Sequence, residues 1–258
     1  MKKFKNSQDQ WNANLYDSKH SFVSDFGADV LDLLVPKKGE YILDLGCGTG
    51  DLANRLYERG VKVVGVDKSG NMIKQAKDKY PNIEFHTYDA LNLPYKDTFD
   101  AVFSNAVLHW IKQPKAALEN IYKCLHEGGR FVAELGGKGN VQMITEEVKN
   151  VFTKSGLTFN EEQFPWYFPS IGEYTSLMEG AGFHVTFAYH FERPTNLKGA
   201  DGLKNWLKMF GDSMFTRLAE ETKNDIIENV ENNLKDAMLA GGNWIADYKR
   251  LRVIGIKK

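Results

Sequence analysis

The residues with the most chemical character lie in one stretch, Tyr41 to Gly50, YILDLGCGTG. Tyr41, Ile42, Leu43 and Leu45 read as a short buried strand in which Asp44 places a charge, and Gly46, Gly48 and Gly50 let the backbone turn sharply. A helix then begins at Asp51, carries Leu52, Ala53 and Leu56 inward, and stops at Gly60. A strand, a bare turn and a helix N-terminus in that order let a ligand approach main-chain amides closely. Cys47 reads as a small residue of this turn, not as a nucleophile. The spacing of Cys47 and Cys124 suits neither a disulfide framework nor a metal site.

The neighbours narrow the choice of ligand. Val61 to Val66, VKVVGV, reads as a second buried strand ending at Asp67, with Lys68 beside it. An acid about twenty residues after such a turn is placed to accept hydrogen bonds from a ribose diol. That much also fits a nicotinamide oxidoreductase, for which Gly46, Gly48 and Asp67 speak. The glycines, however, run GxGxG instead of GxGxxG, and Asp44 stands where a pyrophosphate would lie. A carboxylate about 4 Å from a phosphate charge costs on the order of 4 kcal/mol at an effective dielectric of 20. An ammonium or sulfonium would instead be attracted. S-adenosylmethionine carries both, with an adenosine for Asp67.

Later strand ends extend the pattern. Ser69 caps a helix whose inner face is Met72, Ile73 and Ala76. Ile83 to Thr87 reads as a third strand, followed by Asp89 in YDAL. Taken alone Asp89 reads as an ordinary loop residue; in this order of motifs its carboxylate could accept adenine amino hydrogens while the amide of Ala90 or Leu91 reads a ring nitrogen. Phe99 to Ser104 reads as a fourth strand leading into NAVLHW. Ligands of open doubly wound sheets sit at the carboxyl ends of the strands, so Asn105 and Ala106 could line a methionine moiety through their carbonyls. Trp110 belongs to the same wall. His109 reads either as a general base or as a capping or core imidazole.

DLGCGTG, the acid at Asp67, YDAL around Asp89 and FSNAVLHW resemble, in order, the successive motifs of class I S-adenosylmethionine-dependent methyltransferases, over roughly residues 11 to 135. RPTNLKGADGLKNWLKMF and ADYKRLRVIGIKK are similar, more faintly, to the trans-aconitate methyltransferase group. The resemblance implies an α/β fold: a doubly wound, seven-stranded Rossmann-like sheet with a helical cap inserted before the last strand. It implies S-adenosylmethionine as cofactor and methyl transfer to a small-molecule acceptor, a carboxylate or a hydroxyl. It places Met72, otherwise a core residue, beside the adenine. It also implies that N-terminal aromatics, here Trp11 and Tyr16, close over the methionine end, where a ring face suits a sulfonium. Residues 1–36 are therefore read as a helical lid or, equally, as an N-terminal helix packed on the sheet; His20 in this segment is a second candidate base.

The remaining chain supplies the other elements. Pro114 to Leu125 reads as a helix, Glu127 to Gly129 as a turn, and RFVAEL as the fifth strand. Gly136, Gly137 and Gly139 lack the lysine and hydroxyl of a phosphate loop. From Val141 the pattern is mainly helical, with an aromatic loop FPWYFPS, a sixth strand over Phe183 to Glu192 and a last strand over Arg250 to Ile256. The expected organisation is a lid (1–36), a cofactor-binding core (37–136), a helical and aromatic segment with the sixth strand (137–198), a helical cap (199–248) and the last core strand (249–258). The fainter resemblance makes Trp166, Tyr167, Arg193 and Trp206 candidate walls of the acceptor pocket, although each also reads as structural. A formal charge of -1 gives no basic footprint for nucleic acid, and no apolar run of membrane-spanning length or signal core occurs in the 258 residues. These features point to a soluble cytoplasmic enzyme. A third reading, a cofactor-binding protein without catalysis, is opposed by the aromatic-rich cap.

Overall fold

The apolar runs at the sequence's motif positions form parallel strands because both faces of each are buried. The computed structural model describes residues 29–258. Strands β1 (Tyr41–Leu45), β2 (Lys62–Asp67), β3 (Glu84–Thr87) and β4 (Phe99–Asn105) lie in the order β3-β2-β1-β4 and pair in parallel. Strand β5 (Leu125–Gly136) continues the sheet in parallel beside β4. Strands β10 (Lys249–Lys257) and β6 (Phe183–Glu192) complete a mixed seven-stranded sheet of order β3-β2-β1-β4-β5-β10-β6. This reversal of strand order between β1 and β4 is the switch point at which doubly wound sheets take ligands.

Helix α1 (Asp51–Glu58) buries Leu52, Ala53 and Leu56, as its spacing requires. Helix α2 (Gly70–Lys79) buries Met72, Ile73 and Ala76, and its cap is the Ser69 hydroxyl, which accepts the Met72 amide at 3.2 Å. Helix α3 (Pro114–Cys124) starts on a proline, whose missing amide costs nothing there. Val30, Leu31 and Leu34, from a helical stretch over 29–34, join α1, β1 and β2 in one apolar core. Below the strands, Arg130 on β5 makes a two-pronged pair with Glu40 (2.9 and 2.7 Å) and donates to the Leu34 carbonyl. The fifth strand begins earlier than its apolar run suggests. Leu125 pairs with Phe99 and Arg130 with Ala101, so the stretch between them, with Gly128 at a positive φ of 76°, interrupts the register inside β5 instead of preceding the strand.

The chain forms two compact units. The first runs to Leu135 and takes in Gly172–Tyr189 and Arg252–Lys258, including α5 (Ile171–Gly180) from Gly172 on. The second is Gly136–Ile171 with His190–Leu251. Within it α4 (Gln142–Lys154) packs on α7 (Glu220–Met238), and α6 (Gly202–Phe210) packs on α7 as well. The second unit also contains a three-stranded antiparallel sheet, in the order β7 (Thr195–Leu197), β9 (Asn243–Ala246), β8 (Leu239–Ala240). The sequence reading had no strands here, because runs of two to four residues carry too little period-2 signal. Among the described residues no helix is long and apolar enough to cross a membrane.

Gly65 on β2 tests the packing of the core. A Cβ there would meet the Phe85 ring at 2.4 Å and Cys47 Sγ at 3.0 Å, whereas one on Gly70 at the start of α2 would meet nothing within 4 Å. Gly65→Ala is expected to destabilise by about 1–3 kcal/mol and Gly70→Ala to be neutral or stabilising by about 0.5–1 kcal/mol, read from denaturant midpoints. Equal effects of the two substitutions would contradict this packing.

Candidate active site

The turn after β1 is shaped by what surrounds it. The amides of Gly46 and Cys47 both donate to the Val66 carbonyl (2.6 and 3.0 Å), folding the turn over the end of β2. Gly46 has φ 77°, and a Cβ there would overlap the Val107 side chain at 2.1 Å, so glycine is required twice over. Gly48 has φ 55° but faces open space, leaving bare main chain on the ligand side of the turn. Ser104 Oγ donates to the Leu45 carbonyl at 2.8 Å, tying the ends of β1 and β4 together.

Asp44 is sealed at the end of this strand, 2% exposed, and its Oδ2 has no hydrogen-bond partner. Burial, then the nearby Asp67 carboxylate, push its pKa up to about 7, against the opposing pull of the Ala53 amide in the first turn of α1. Asp67 is held differently: Oδ2 accepts the Gly48 amide at 3.0 Å and Oδ1 the Ser69 amide at 2.8 Å. Cys47 is buried beside both acids. Desolvation and their charge hold its thiol well above the usual range, which is the opposite of an activated nucleophile.

The third acid, Asp89, follows β3. Its Oδ1 accepts the Leu91 amide at 3.0 Å and its Oδ2 pairs with Lys68 Nζ at 2.7 Å. Burial works to raise its pKa, but the Lys68 ammonium and the Leu91 amide outweigh burial and leave it low. Ala90 is buried beside it, and Met72 is 3% exposed on α2. Asn105 ends β4, and Ala106 takes a left-handed φ of 59° with its amide donating to the Glu134 carbonyl. His109 and Trp110 occupy a short 3-10 turn, Leu108–Trp110, with His109 6% exposed and its ring 5.7 Å from the Trp110 indole. Parallel pairing thus gathers Asp44, Gly46, Cys47, Gly48, Gly50, Asp67, Lys68, Met72, Asp89, Ala90, Leu91, Asn105, Ala106, His109 and Trp110 at or just beyond the carboxyl ends of β1 to β4. Trp11, Tyr16 and His20 lie outside the described residues.

The four candidate acceptor residues belong to the second unit. Trp166 stacks on Phe168 (5.6 Å, 17°) and lies 5.6 Å from Trp206, whose indole Nε1 donates to Tyr248 Oη at 2.6 Å. Tyr167 is half-buried in the same loop. Arg193 stands over the Phe191 ring at 5.0 Å, and its amide donates to the Tyr248 carbonyl at 2.7 Å.

Three residues in these two groups escaped the sequence reading. Glu134, 2% exposed, lies near the end of β5 opposite Asn105, and its Oε2 accepts Arg252 Nε at 2.7 Å. A lone acid closing the apolar run RFVAEL is the same signal as Asp44 in YILDL. Arg250 is 5% exposed, with its guanidinium 4.6 Å from the centre of the Tyr248 ring. In RLRVIGI both it and Tyr248 pass for ordinary strand residues.

The site suits S-adenosylmethionine on its own chemistry. It offers a buried carboxyl oxygen with no partner, a second carboxylate beside it, and open main chain at Gly48. Comparisons with known proteins agree. The family described as "Methyltransferase domain" matches residues 43–133. An uncharacterised methyltransferase of Schizosaccharomyces pombe is 35% identical over 97% of this chain and 99% of its own. A trans-aconitate 2-methyltransferase of Deinococcus radiodurans is 28% identical over 77% and 79%. Haemonchus contortus phosphoethanolamine N-methyltransferase 2, solved with S-adenosyl-L-methionine, superposes with a TM-score of 0.60 at 17% identity, over 97% of this chain and 58% of that one. With the near full-length match to one methyltransferase, and the domain match falling on the strands that carry Asp44, Asp67 and Asn105, the chain belongs to the class I S-adenosylmethionine-dependent methyltransferases.

Proposed function

We propose that the protein transfers a methyl group from S-adenosylmethionine to a small carboxylic acid. The observation that carries the acceptor class is Arg250, a buried guanidinium set against Tyr248 in an aromatic group with Trp206 and Trp166. An acid with an unsaturated or apolar body matches both the planar cation and the rings around it. The likeness to a trans-aconitate 2-methyltransferase supports the same class. Near-neutral net charge supports a small molecule over nucleic acid, and two buried free thiols support a reducing, cytoplasmic setting.

Asp67 takes the ribose hydroxyls, Asp89 with the amides of Ala90 and Leu91 the adenine edge, and Met72 its face. Asp44, Gly46, Gly48, Asn105 and Ala106 take the amino-acid end. Trp166, Tyr167, Arg193, Trp206 and Arg250 hold the acceptor. S-adenosylmethionine supplies a methyl group already activated as a sulfonium. The protein's tasks are alignment and exclusion of water. A carboxylate acceptor is ionised before it binds, so it requires a positive clamp and no base, which leaves His109 a packing role.

The acceptor reading makes a paired forecast in steady-state assays on a panel of small acids. His109→Ala retains activity within severalfold. Arg250→Gln lowers kcat/KM about 10- to 100-fold, the loss of a charge-assisted hydrogen bond of about 1.5–3 kcal/mol, while affinity for S-adenosylhomocysteine is unchanged. Activity confined to amines or phenols, or lost with His109, would refute the carboxylate assignment.

The cofactor assignment is tested by calorimetry with S-adenosylhomocysteine, NAD and NADP. Only the first binds, and Asp67→Ala weakens it at least tenfold; binding of a nicotinamide would overturn the scheme. Asp44 adds a pH dependence. Its folded pKa of about 7 exceeds the unfolded 3.8, so the ligand-free protein holds the extra proton. The stability from this group is full below about pH 3.8 and is lost as pH rises through about 7. A sulfonium and ammonium ligand selects the ionised form. S-adenosylmethionine affinity should therefore climb by up to tenfold per pH unit towards 7 and level off above about 8, and Asp44→Asn should abolish the slope. A flat profile in the unsubstituted protein would exclude Asp44 as the group that meets the ligand's charge.

A further inference from the structure

Strand β6 (Phe183–Glu192) ends the sheet order, with β10 on one side and, among the described residues, no strand on the other. The opposite edge, β3, is four residues long. β6 is ten residues long, and FHVTFAYHFE contains no lysine, proline or glycine and no residue with left-handed backbone. Lysine, proline and short length, three devices that usually discourage edge-to-edge pairing, are therefore missing from β6. Apolar side chains are exposed along it as well, Phe187 at 37% and Tyr189 at 52%, with their rings 6.5 Å apart.

We infer that β6 pairs antiparallel with β6 of a second copy of this chain, about a two-fold axis through Ala188, so that the two sheets continue into one another in a homodimer. Residues facing each other across an antiparallel pair point to the same side of the sheet, so a two-fold pairing is centred on a residue, never between two. Centring on Ala188 sets Phe187 opposite Tyr189 of the second copy, twice, on one face. On the other face it sets His184 opposite Glu192 at both ends. Glu192 is 74% exposed at its side chain, with Lys249 Nζ at 3.4 Å, which leaves its carboxylate open to a second neighbour. Centring one residue earlier would face His184 with His190 and Phe187 with its own copy. Centring one residue later would bring Pro194, which cannot donate to a ladder, opposite His184. Among the registers centred within one residue of Ala188, this one is the self-complementary one, and it commits the surface to a second copy.

The test uses the full chain in sedimentation velocity over a micromolar concentration series, with a species of twice the 29.3 kDa chain mass expected. Phe187→Lys, which places the natural edge-blocking charge at the centre, should weaken self-association at least tenfold while leaving the circular dichroism spectrum and S-adenosylhomocysteine binding unchanged. Register is read by oxidative cross-linking. Ala188→Cys puts two thiols on the axis with Cα atoms about 4.5–5.5 Å apart and should give a disulfide-linked dimer. His184→Cys sits far from its own copy and should not, and the native Cys47 and Cys124 are buried. A monomer at every concentration overturns the proposal, as does a dimer that Phe187→Lys leaves intact or that Ala188→Cys fails to cross-link.

Discussion

The carboxyl group of Asp44, closed off at the end of β1 and facing the carboxylate of Asp67, is the constraint on which the site depends. A buried carboxyl beside a half-buried carboxylate, with no cation between them, is unfavourable when both are ionised, and the raised pKa of Asp44, about 7, is the consequence. The surroundings hold the arrangement in place. The Ala53 amide gives partial compensation from α1, the two amides on Asp67 fix its carboxylate, and the Ser104 hydroxyl ties β4 to β1. The glycine turn can lie this close only because Val107 occupies the space a side chain on Gly46 would need.

Four acids stand at this end of the sheet, and their partners differentiate them. Asp67 is satisfied by backbone amides, Asp89 by Lys68, and Glu134 by Arg252, while Asp44 keeps one oxygen unsatisfied. One residue type thereby serves separate functions through environment alone. The second unit follows another logic. Its rings pack on one another around Trp206 and Tyr248, and the buried Arg250 lies against the Tyr248 ring.

Much of the core was legible because its signals are local. Apolar runs ending in Asp44, Asp67 and Asn105 gave the strands and their order of use, and Ser69 marked its helix by a capping pattern that needs only four residues. The start of β5 at Leu125, ahead of the irregular stretch at Gly128, was missed because a glycine pair hides the strand residues before it. The small sheet of β7, β8 and β9 was missed because its strands are too short for a periodic signal, and Arg250 and Tyr248 were passed over because alternation in a strand says which residues share a face but not what they face.

Sequence alone determined the cofactor chemistry. GxGxG, the acid before it and the acid after the next strand speak against a pyrophosphate and favour a cation, by a spacing that no packing can alter. Tertiary structure decided everything that depends on residues far apart in the chain. It alone brought Val107 against Gly46 and Glu134 beside Asn105 and Arg252. It also set Arg250 and Tyr248 beside Trp206 and left β6 at the edge of the sheet. Periodicity fixes which way a side chain points within its own element, whereas its neighbours, its desolvation and its charge state come from elements that meet only when the chain folds.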